Sequence, residues 1–210
     1  MIENEEEARV FVAARCDARS LIRLERFVEY LGDENERQNL IAAATLPIIW
    51  QRHIADSAQL LDHVSRETSG SWLDLGTGAG FPGLIIAVMQ SQREVILVES
   101  RARRIEWLLR LIEHLDLANC RVEGRRLETV APFPAAVISA RAFAPLPKLV
   151  DLARRFSTRD TIWLLPKGRS AAQEIWKLPE RTRSVFHVEQ SQTDPDAGIV
   201  VGTGLEANAP

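Results

Sequence analysis

Residues 72–83 read WLDLGTGAGFPG, and this run constrains the fold more than any other part of the chain. It joins a short, mostly apolar segment to three glycines, Gly76, Gly78 and Gly80. Glycine readily adopts a positive φ and lets a ligand approach the backbone without meeting a Cβ. The run therefore predicts a turn between a buried strand and a helix, of the kind that binds nucleotide-like ligands.

The residues around the glycines indicate which ligand this is. Phe81 stands where the dinucleotide fingerprint G-x-G-x-x-G has its third glycine. Asp74 precedes the first glycine, where an acid disfavours a pyrophosphate but suits S-adenosylmethionine, which carries an amino group and a sulfonium. Glu99 ends the next apolar run, EVILVE, where a carboxylate can accept both ribose hydroxyls. We therefore predict that Asp74, the three glycines and Glu99 bind S-adenosylmethionine. The alternative is a glycine-rich turn without a ligand.

Length and composition predict one compact, cytoplasmic protein. The 210 residues, 46% of them hydrophobic, suffice for one well-packed domain with a small appendage. No apolar run approaches the roughly 18 residues of a membrane helix, and the N-terminus lacks the pattern of a signal peptide. Cys16 and Cys120 lie in unrelated contexts, so we expect no metal site. Nothing in the pattern indicates an obligate oligomer, and we expect a monomer.

The charge is unevenly distributed. The net charge is −3, and removing the four acids within the first seven residues leaves the remainder at +1. Arginines then cluster within residues 101–110, 121–126 and 154–159. Such clusters are more often solvated helix faces than nucleic-acid footprints, but they are compatible with a phosphate-binding surface.

The pattern of apolar residues within residues 1–70 predicts an N-terminal helical cap. Apolar residues recur at helical spacing within residues 8–31, and Gly32 with Asp33 is expected to end this part. A second helix is predicted over residues 48–64, behind Pro47.

Residues 71–205 alternate between strand and helix patterns. The strands are expected at residues 71–75, 94–99, 120–123, 136–139, 161–165, 184–189 and 199–203. This order predicts a doubly wound, Rossmann-like α/β fold with a mostly parallel seven-stranded sheet, the architecture of class I S-adenosylmethionine-dependent methyltransferases. The last two strands are expected to form an antiparallel hairpin, and residues 206–210 to be disordered.

The class of methyl acceptor can be narrowed by elimination. Enzymes that methylate an exocyclic amino group commonly carry an Asn/Asp-Pro-Pro-aromatic turn after the fourth strand, where this chain reads SARAFAPLP. Methylation of a pyrimidine carbon requires a nucleophilic cysteine, and neither cysteine follows a strand of the sheet. The remaining acceptors have a free lone pair, such as a purine ring nitrogen or a small-molecule amine or hydroxyl.

Cationic residues are expected near the acceptor. Arg141 and Lys167 follow adjacent predicted strands, so they should stand side by side and bind a phosphate or the acceptor edge of a guanine. The alternative for Arg141 is an ion pair with an acid such as Glu128. Arg52 and His53 lie on the second predicted helix and are candidates for RNA contact, although a lone helical histidine is usually structural.

An ordered set of motifs extends over residues 39–168. The motifs are NL at 39–40, RHIADS at 52–57, LDLGTGAGFPG at 73–83, RLE at 126–128, SARAFAPL at 139–146 and LPKG at 165–168. Together they closely resemble the RsmG family, also called the glucose-inhibited division protein B family. Its members are bacterial enzymes that methylate N7 of one guanosine in a conserved loop of 16S ribosomal RNA.

The resemblance implies specific roles. It implies donor contacts from Gly76, Phe81, Leu127, Glu128 and Arg141. It places Arg141 at the junction of donor and RNA and Lys167 against the RNA or the target guanine, so both are the expected catalytic residues. The implied partner is 16S ribosomal RNA within the small ribosomal subunit. The alternatives are a small-molecule methyltransferase and a non-catalytic RNA-binding or ribosome assembly protein with this fold.

Overall fold

A computed structural model describes residues 1–207, and within them the chain forms a seven-stranded sheet. The strands are β1 Trp72–Leu75, β2 Val95–Val98, β3 Cys120–Glu123, β4 Val137–Ala140, β5 Ile162–Lys167, β6 Phe186–Gln190 and β7 Gly198–Gly202. Their order is β3-β2-β1-β4-β5-β7-β6. The first five are parallel, whereas β7 runs antiparallel to both β5 and β6. The predicted fold class and the closing hairpin are confirmed.

Helices cover both faces of the sheet. They are α1 Glu5–Ala13, α2 Ala18–Gln38, α3 Asp56–Ala58, α4 Gly83–Met89, α5 Ala102–His114, α6 Leu146–Ala153, α7 Ala171–Trp176 and α8 Glu180–Arg183. Successive strand residues point to opposite faces, so Trp72 joins one core with α4 and α5 while Leu73 joins another with α6 and α7. Leu24, Phe27 and Trp50, all fully or almost fully buried, belong to the first core, so the N-terminal helices pack on the sheet domain.

Helix α2 extends further than predicted. The expectation that Gly32 and Asp33 end it is wrong, because a glycine inside a helix costs only about 1 kcal/mol. The last turns are anchored by Glu34, whose carboxylate pairs with Arg110 at 2.9 Å. The helix ends where Asn39 adopts a left-handed conformation with φ 46°.

The predicted helix over residues 48–64 is broken into shorter pieces. They are a 3₁₀ helix at Ala43–Ile48, a π-helix at Trp50–Ala55, α3 and a 3₁₀ helix at Gln59–His63. Wider π turns change which side chains share a face and are frequent at functional sites. Here the turns direct His53 and Asp56 toward the end of β4.

The strand order reverses between β1 and β4, and ligands of open α/β sheets bind outside the carboxyl ends of strands at such a point. Leu75 is in register with Val98 on β2 and with Ala140 on β4. Gly76 and Arg141 directly follow two of these strand ends, so the register brings both to this edge.

The C-terminal segment is partly ordered. Within the predicted disordered tail, the Glu206 carbonyl accepts a hydrogen bond from Arg154 at 2.6 Å, and the Ala207 N–H donates to Ser157 at 3.1 Å. The prediction is therefore wrong for these two residues, and residues 208–210 lie outside the described part of the chain. None of the helices in residues 1–207 is long and apolar enough to cross a membrane.

Candidate active site

The glycine turn has the strained geometry that its composition predicts. Gly76 and Gly78 have φ values of +65° and +57°, which side chains with a Cβ rarely adopt. A Cβ on Gly76 would lie 2.4 Å from the Phe143 ring. A Cβ on Gly78 would meet no protein atom closer than 3.8 Å, so this glycine borders open space.

Glu99 holds the turn in place. Its Oε2 accepts a hydrogen bond from the Gly78 N–H at 3.1 Å, and its Oε1 accepts from Ser100 at 2.7 Å and Arg101 at 2.9 Å. The residue is 7% exposed and still lines a cavity beside the glycines. Its carboxylate thus fixes both the turn and the start of the segment that leads into α5.

Asp74 does not line this cavity, and its predicted contact with the donor stays a prediction. The residue is fully buried, Oδ1 accepts from the Ser139 hydroxyl at 2.6 Å, and Oδ2 accepts from the Gly83 N–H at 3.0 Å. Burial raises the pKa of the Asp74 carboxyl. Asp74 therefore joins β1, β4 and the first residue of α4 by hydrogen bonds.

Gly80 also lies outside this cavity, and its predicted role in donor binding stays a prediction. Its φ is +115°, and a Cβ there would lie 3.2 Å from Leu84 and 3.6 Å from Phe27. Gly80 therefore serves the close packing of the turn against α4 and α2.

The glycine-turn cavity has a volume of about 480 Å³. It is lined by seven residues predicted to contact the donor: Gly76, Gly78, Phe81, Glu99, Leu127, Glu128 and Arg141. Leu40, Ile41 and Lys148 also line it and were not predicted as site residues. Arg155 stabilises the side of the cavity that Leu127 forms, because its guanidinium donates hydrogen bonds to the Leu127 and Val130 carbonyls.

A second cavity, here called the Lys167 cavity, has a volume of about 930 Å³. It contains the four predicted RNA-binding residues: Arg52, His53, Arg141 and Lys167. Residues 40–41 and 141–144 line both cavities. The segment after β4 therefore lies where the two cavities meet.

Arg141 is fixed by three neighbours. Its Nη1 donates to Asp56 Oδ2 at 3.3 Å, its Nη2 donates to His53 Nδ1 at 3.1 Å, and its guanidinium carbon lies 4.8 Å from the Phe81 ring centroid. The predicted alternative of an ion pair is correct in kind, but the acid is Asp56 and not Glu128. Asp56 also accepts from Thr193, so the β6–β7 loop supports the pair.

The direction of each hydrogen bond around His53 follows from Arg141. A guanidinium only donates, so Nδ1 must accept, and the imidazole is neutral with its proton on Nε2. Nε2 lies 2.9 Å from the Thr45 hydroxyl, which donates to the Ala42 carbonyl at 2.7 Å. Burial, followed by the charge of Arg141, lowers the pKa of His53 to about 3. His53 is 8% exposed, so its geometry favours holding Arg141 over direct contact with RNA.

This pKa predicts a pH dependence of stability. Because the folded His53 binds a proton only near pH 3 while the unfolded residue does so near 6.5, stability falls as the pH decreases from 6.5 toward 3. Between pH 7 and pH 5, we expect the free energy of unfolding of the wild type to fall by about 2 kcal/mol more than that of His53→Asn. Urea unfolding at both pH values measures this, and equal losses in the two proteins would contradict it.

Lys167 is also held by an acid. Its Nζ lies 3.0 Å from Glu174 Oε2 and donates to the Ala144 carbonyl at 3.2 Å. The same Glu174 oxygen accepts from the Leu146 N–H at 2.9 Å, so Glu174 joins Lys167 to the first turn of α6. Arg141 and Lys167 line one cavity as predicted, but each has its own carboxylate, which offsets the repulsion between them.

Arg52 is the most exposed of the four predicted RNA-binding residues. Its guanidinium pairs with Asp194 at 3.1 Å, and 46% of its side chain is exposed. An exposed pair of this kind contributes little to stability. Arg52 can therefore exchange Asp194 for another anion at small cost.

Comparison with known proteins agrees with this geometry. The crystal structure of a SAM dependent methyltransferase from Aquifex aeolicus matches with a TM-score of 0.58 at 15% identity, covering 82% of this chain and 98% of that one. The fold, the glycine turn and the strand-end carboxylate define a class I S-adenosylmethionine-dependent methyltransferase. A model of the GidB family, rRNA small subunit methyltransferase G, matches residues 20–194. The chain belongs to this family.

Individual relatives are similar over almost their whole length. The ribosomal RNA small subunit methyltransferase G of Erythrobacter litoralis is 59% identical over 204 residues, with 97% of this chain and 98% of that protein covered. The protein of the same name from Rhizorhabdus wittichii is 46% identical over 207 residues, with 98% and 95% covered. The family predicted from the motifs is confirmed.

Proposed function

We propose that this protein transfers a methyl group from S-adenosylmethionine to N7 of one guanosine in 16S ribosomal RNA. The observation that carries the proposal is the meeting of two cavities at the segment after β4, one beside the glycine turn and one containing Arg141 and Lys167. Membership of a family whose relatives are named for small-subunit ribosomal RNA supports the acceptor.

The glycine-turn cavity fits the donor. Its volume of about 480 Å³ is within the range of roughly 300–1,000 Å³ for small-molecule sites. Gly78 leaves space that a side chain would fill, and Glu99 offers a carboxylate to ribose hydroxyls. In this proposal Leu127 and Glu128 contact the adenine side, while Gly76 and Phe81 contact the donor near the acceptor cavity.

The chemistry requires positioning and no base. When bound, the donor supplies an activated methyl group, and guanine N7 supplies a lone pair, so no residue has to remove a proton. Arg141 and Lys167 are the proposed catalytic residues, because both can donate hydrogen bonds to the acceptor edge of guanine or to phosphate. Their fixed geometry holds the purine in line with the donor.

The proposal includes the oligomeric state, the cellular location and the partner. We infer that the protein acts as a monomer in the cytoplasm and that its partner is the small ribosomal subunit. Arg52 would contact the RNA at the rim of the Lys167 cavity, since it is exposed and lines that cavity.

The proposal is tested by incubating the purified protein with methyl-labelled S-adenosylmethionine and small ribosomal subunits that lack the modification. We expect the label on N7 of a single guanosine of 16S ribosomal RNA after mapping of the labelled nucleotide. Donor binding without labelled RNA would instead favour a small-molecule acceptor or a non-catalytic binding protein.

Substitution of Glu99 tests the donor site. In Glu99→Gln, an amide NH₂ replaces one of the oxygens that accept from Gly78, Ser100 and Arg101. We expect the Kd for S-adenosylmethionine to rise about 10-fold or more, because hydrogen bonds to a charged group contribute about 1.5–3 kcal/mol each. Titration calorimetry measures this change. Glu94→Gln is the matched control, since Glu94 is exposed and lines neither cavity; equal affinities of the two variants would contradict the assignment.

A further inference from the structure

Trp176, at the end of α7, is exposed in an unusual way. Trp176 is 70% exposed to solvent. No large hydrophobic residue in residues 1–207 is more exposed. The other four tryptophans of the chain, Trp50, Trp72, Trp107 and Trp163, are at most 3% exposed. The fold therefore uses its other indoles for packing and leaves this one in solvent.

One cation contacts this indole, and two more lie close to it in sequence. The guanidinium carbon of Arg183 lies 4.4 Å from the Trp176 ring centroid. Lys177 follows in the chain and Arg181 lies on the short α8; both are exposed. In the described part of the chain, none of these three cations has a carboxylate within 4.0 Å, whereas the nearby Arg169 pairs with Asp196. Residues 176–183 also contain the exposed Glu180, so three cations and one acid leave this patch with a net charge of +2.

The patch is continuous with the Lys167 cavity. Lys177 lines that cavity, together with Glu174, which holds Lys167. Trp176 stands between these two residues in sequence. Trp176 does not line the cavity itself, so the patch adjoins the cavity through Lys177.

We infer that residues 176–183 form an RNA-docking surface for the unpaired nucleotides next to the target guanosine, an inference that rests on the proposed function. An exposed indole offers a plane on which any base can stack, and unpaired cations attract the phosphates on either side. A second copy of this chain would also cover an exposed tryptophan, but it would carry the same positive charge to the contact. Single-stranded RNA supplies a stacking partner and the opposite charge at every nucleotide.

The inference is tested by steady-state methylation of unmodified small subunits with Trp176→Ala. We expect the KM for subunits to rise about 10-fold, since the variant loses the plane on which one base stacks. The kcat at saturating subunits and the Kd for S-adenosylmethionine should stay within about threefold of the wild type. Trp176→Phe should recover most of the affinity, because it keeps an aromatic plane.

Two further variants separate stacking, charge and general effects. Arg181→Gln with Arg183→Gln should raise the KM and reduce the slope of log affinity against log salt by about two. Leu109→Ala, which alters an exposed hydrophobic residue on α5, should leave the KM unchanged.

Two results would contradict the role of Trp176, and a third would contradict the proposed function as well. A wild-type KM in Trp176→Ala, or a wild-type dimer that this variant dissociates, would overturn the inference while leaving the proposed function intact. Absence of RNA methylation by the wild type would overturn both, and this is measured first.

Discussion

We expect Arg141→Ala to bind S-adenosylmethionine within a few-fold of the wild-type affinity and to methylate small subunits at least about 100-fold more slowly. Arg141 lies where the glycine-turn cavity and the Lys167 cavity meet, with 22% of its side chain exposed. Its loss removes a fixed cation from the proposed transfer position while Glu99 and the glycine turn remain. Single-turnover methylation and separate donor titration measure the two effects.

Arg141→Lys and Asp56→Asn refine this prediction. Lysine keeps the charge but cannot reach both Asp56 and His53 as a planar guanidinium does, so we expect only partial recovery. Asp56→Asn removes the ionic partner and should also slow methylation, because Arg141 is then held only by His53 and Phe81. Arg19→Ala is the matched control, as Arg19 pairs with Asp116 and lines neither cavity. Turnover of Arg141→Ala at the rate of this control would remove Arg141 from the catalytic residues.

We expect Gly83→Ala to lower the free energy of unfolding by about 3 kcal/mol. A Cβ at this position would lie 2.4 Å from Leu97 Cδ2, 2.6 Å from Asp74 Cβ and 2.7 Å from Asp74 Oδ2. These atoms are in the core, so relief requires α4 to move away from β1 and to lose the Gly83 hydrogen bond to Asp74. Urea unfolding of the purified variant measures the loss.

Gly32→Ala provides the matched control for Gly83→Ala. Gly32 lies inside α2, and a Cβ there would meet nothing within 4 Å. We therefore expect this variant to be more stable than the wild type by about 0.5–1 kcal/mol, since alanine is the better helix former. Equal effects of the two substitutions would show that α4 is not packed against Asp74 as described.

The position of Asp74 in the sequence does not fix its role. An acid next to a glycine turn has two possible roles, contact with a cationic ligand or support of the turn from behind. The sequence shows only that the acid is adjacent. In the structure, both Asp74 carboxylate oxygens accept hydrogen bonds from the protein and the side chain is fully buried, which favours support of the turn.

Local signals accounted for most of the fold. Alternating strand and helix patterns predicted the sheet, because hydrophobic periodicity and the positions of turn-forming residues are properties of neighbouring residues. They failed at residues 43–63, where the chain takes 3₁₀ and π turns, and at Gly32, where α2 continues. In both places contacts with distant residues, such as Arg110 with Glu34 and Arg141 with His53, outweigh local preference.

The sequence by itself determined the fold class, the family and seven residues that line the glycine-turn cavity, because these depend on spacing within a short run and on the ends of successive strands. Only the tertiary structure decided which acid pairs with each cation. Asp56 lies 85 residues from Arg141, and nothing in the spacing distinguishes it from Glu128. Such pairs depend on distances through space that local pattern does not encode. The same holds for Trp176, whose exposure follows from where α7 lies on the folded protein.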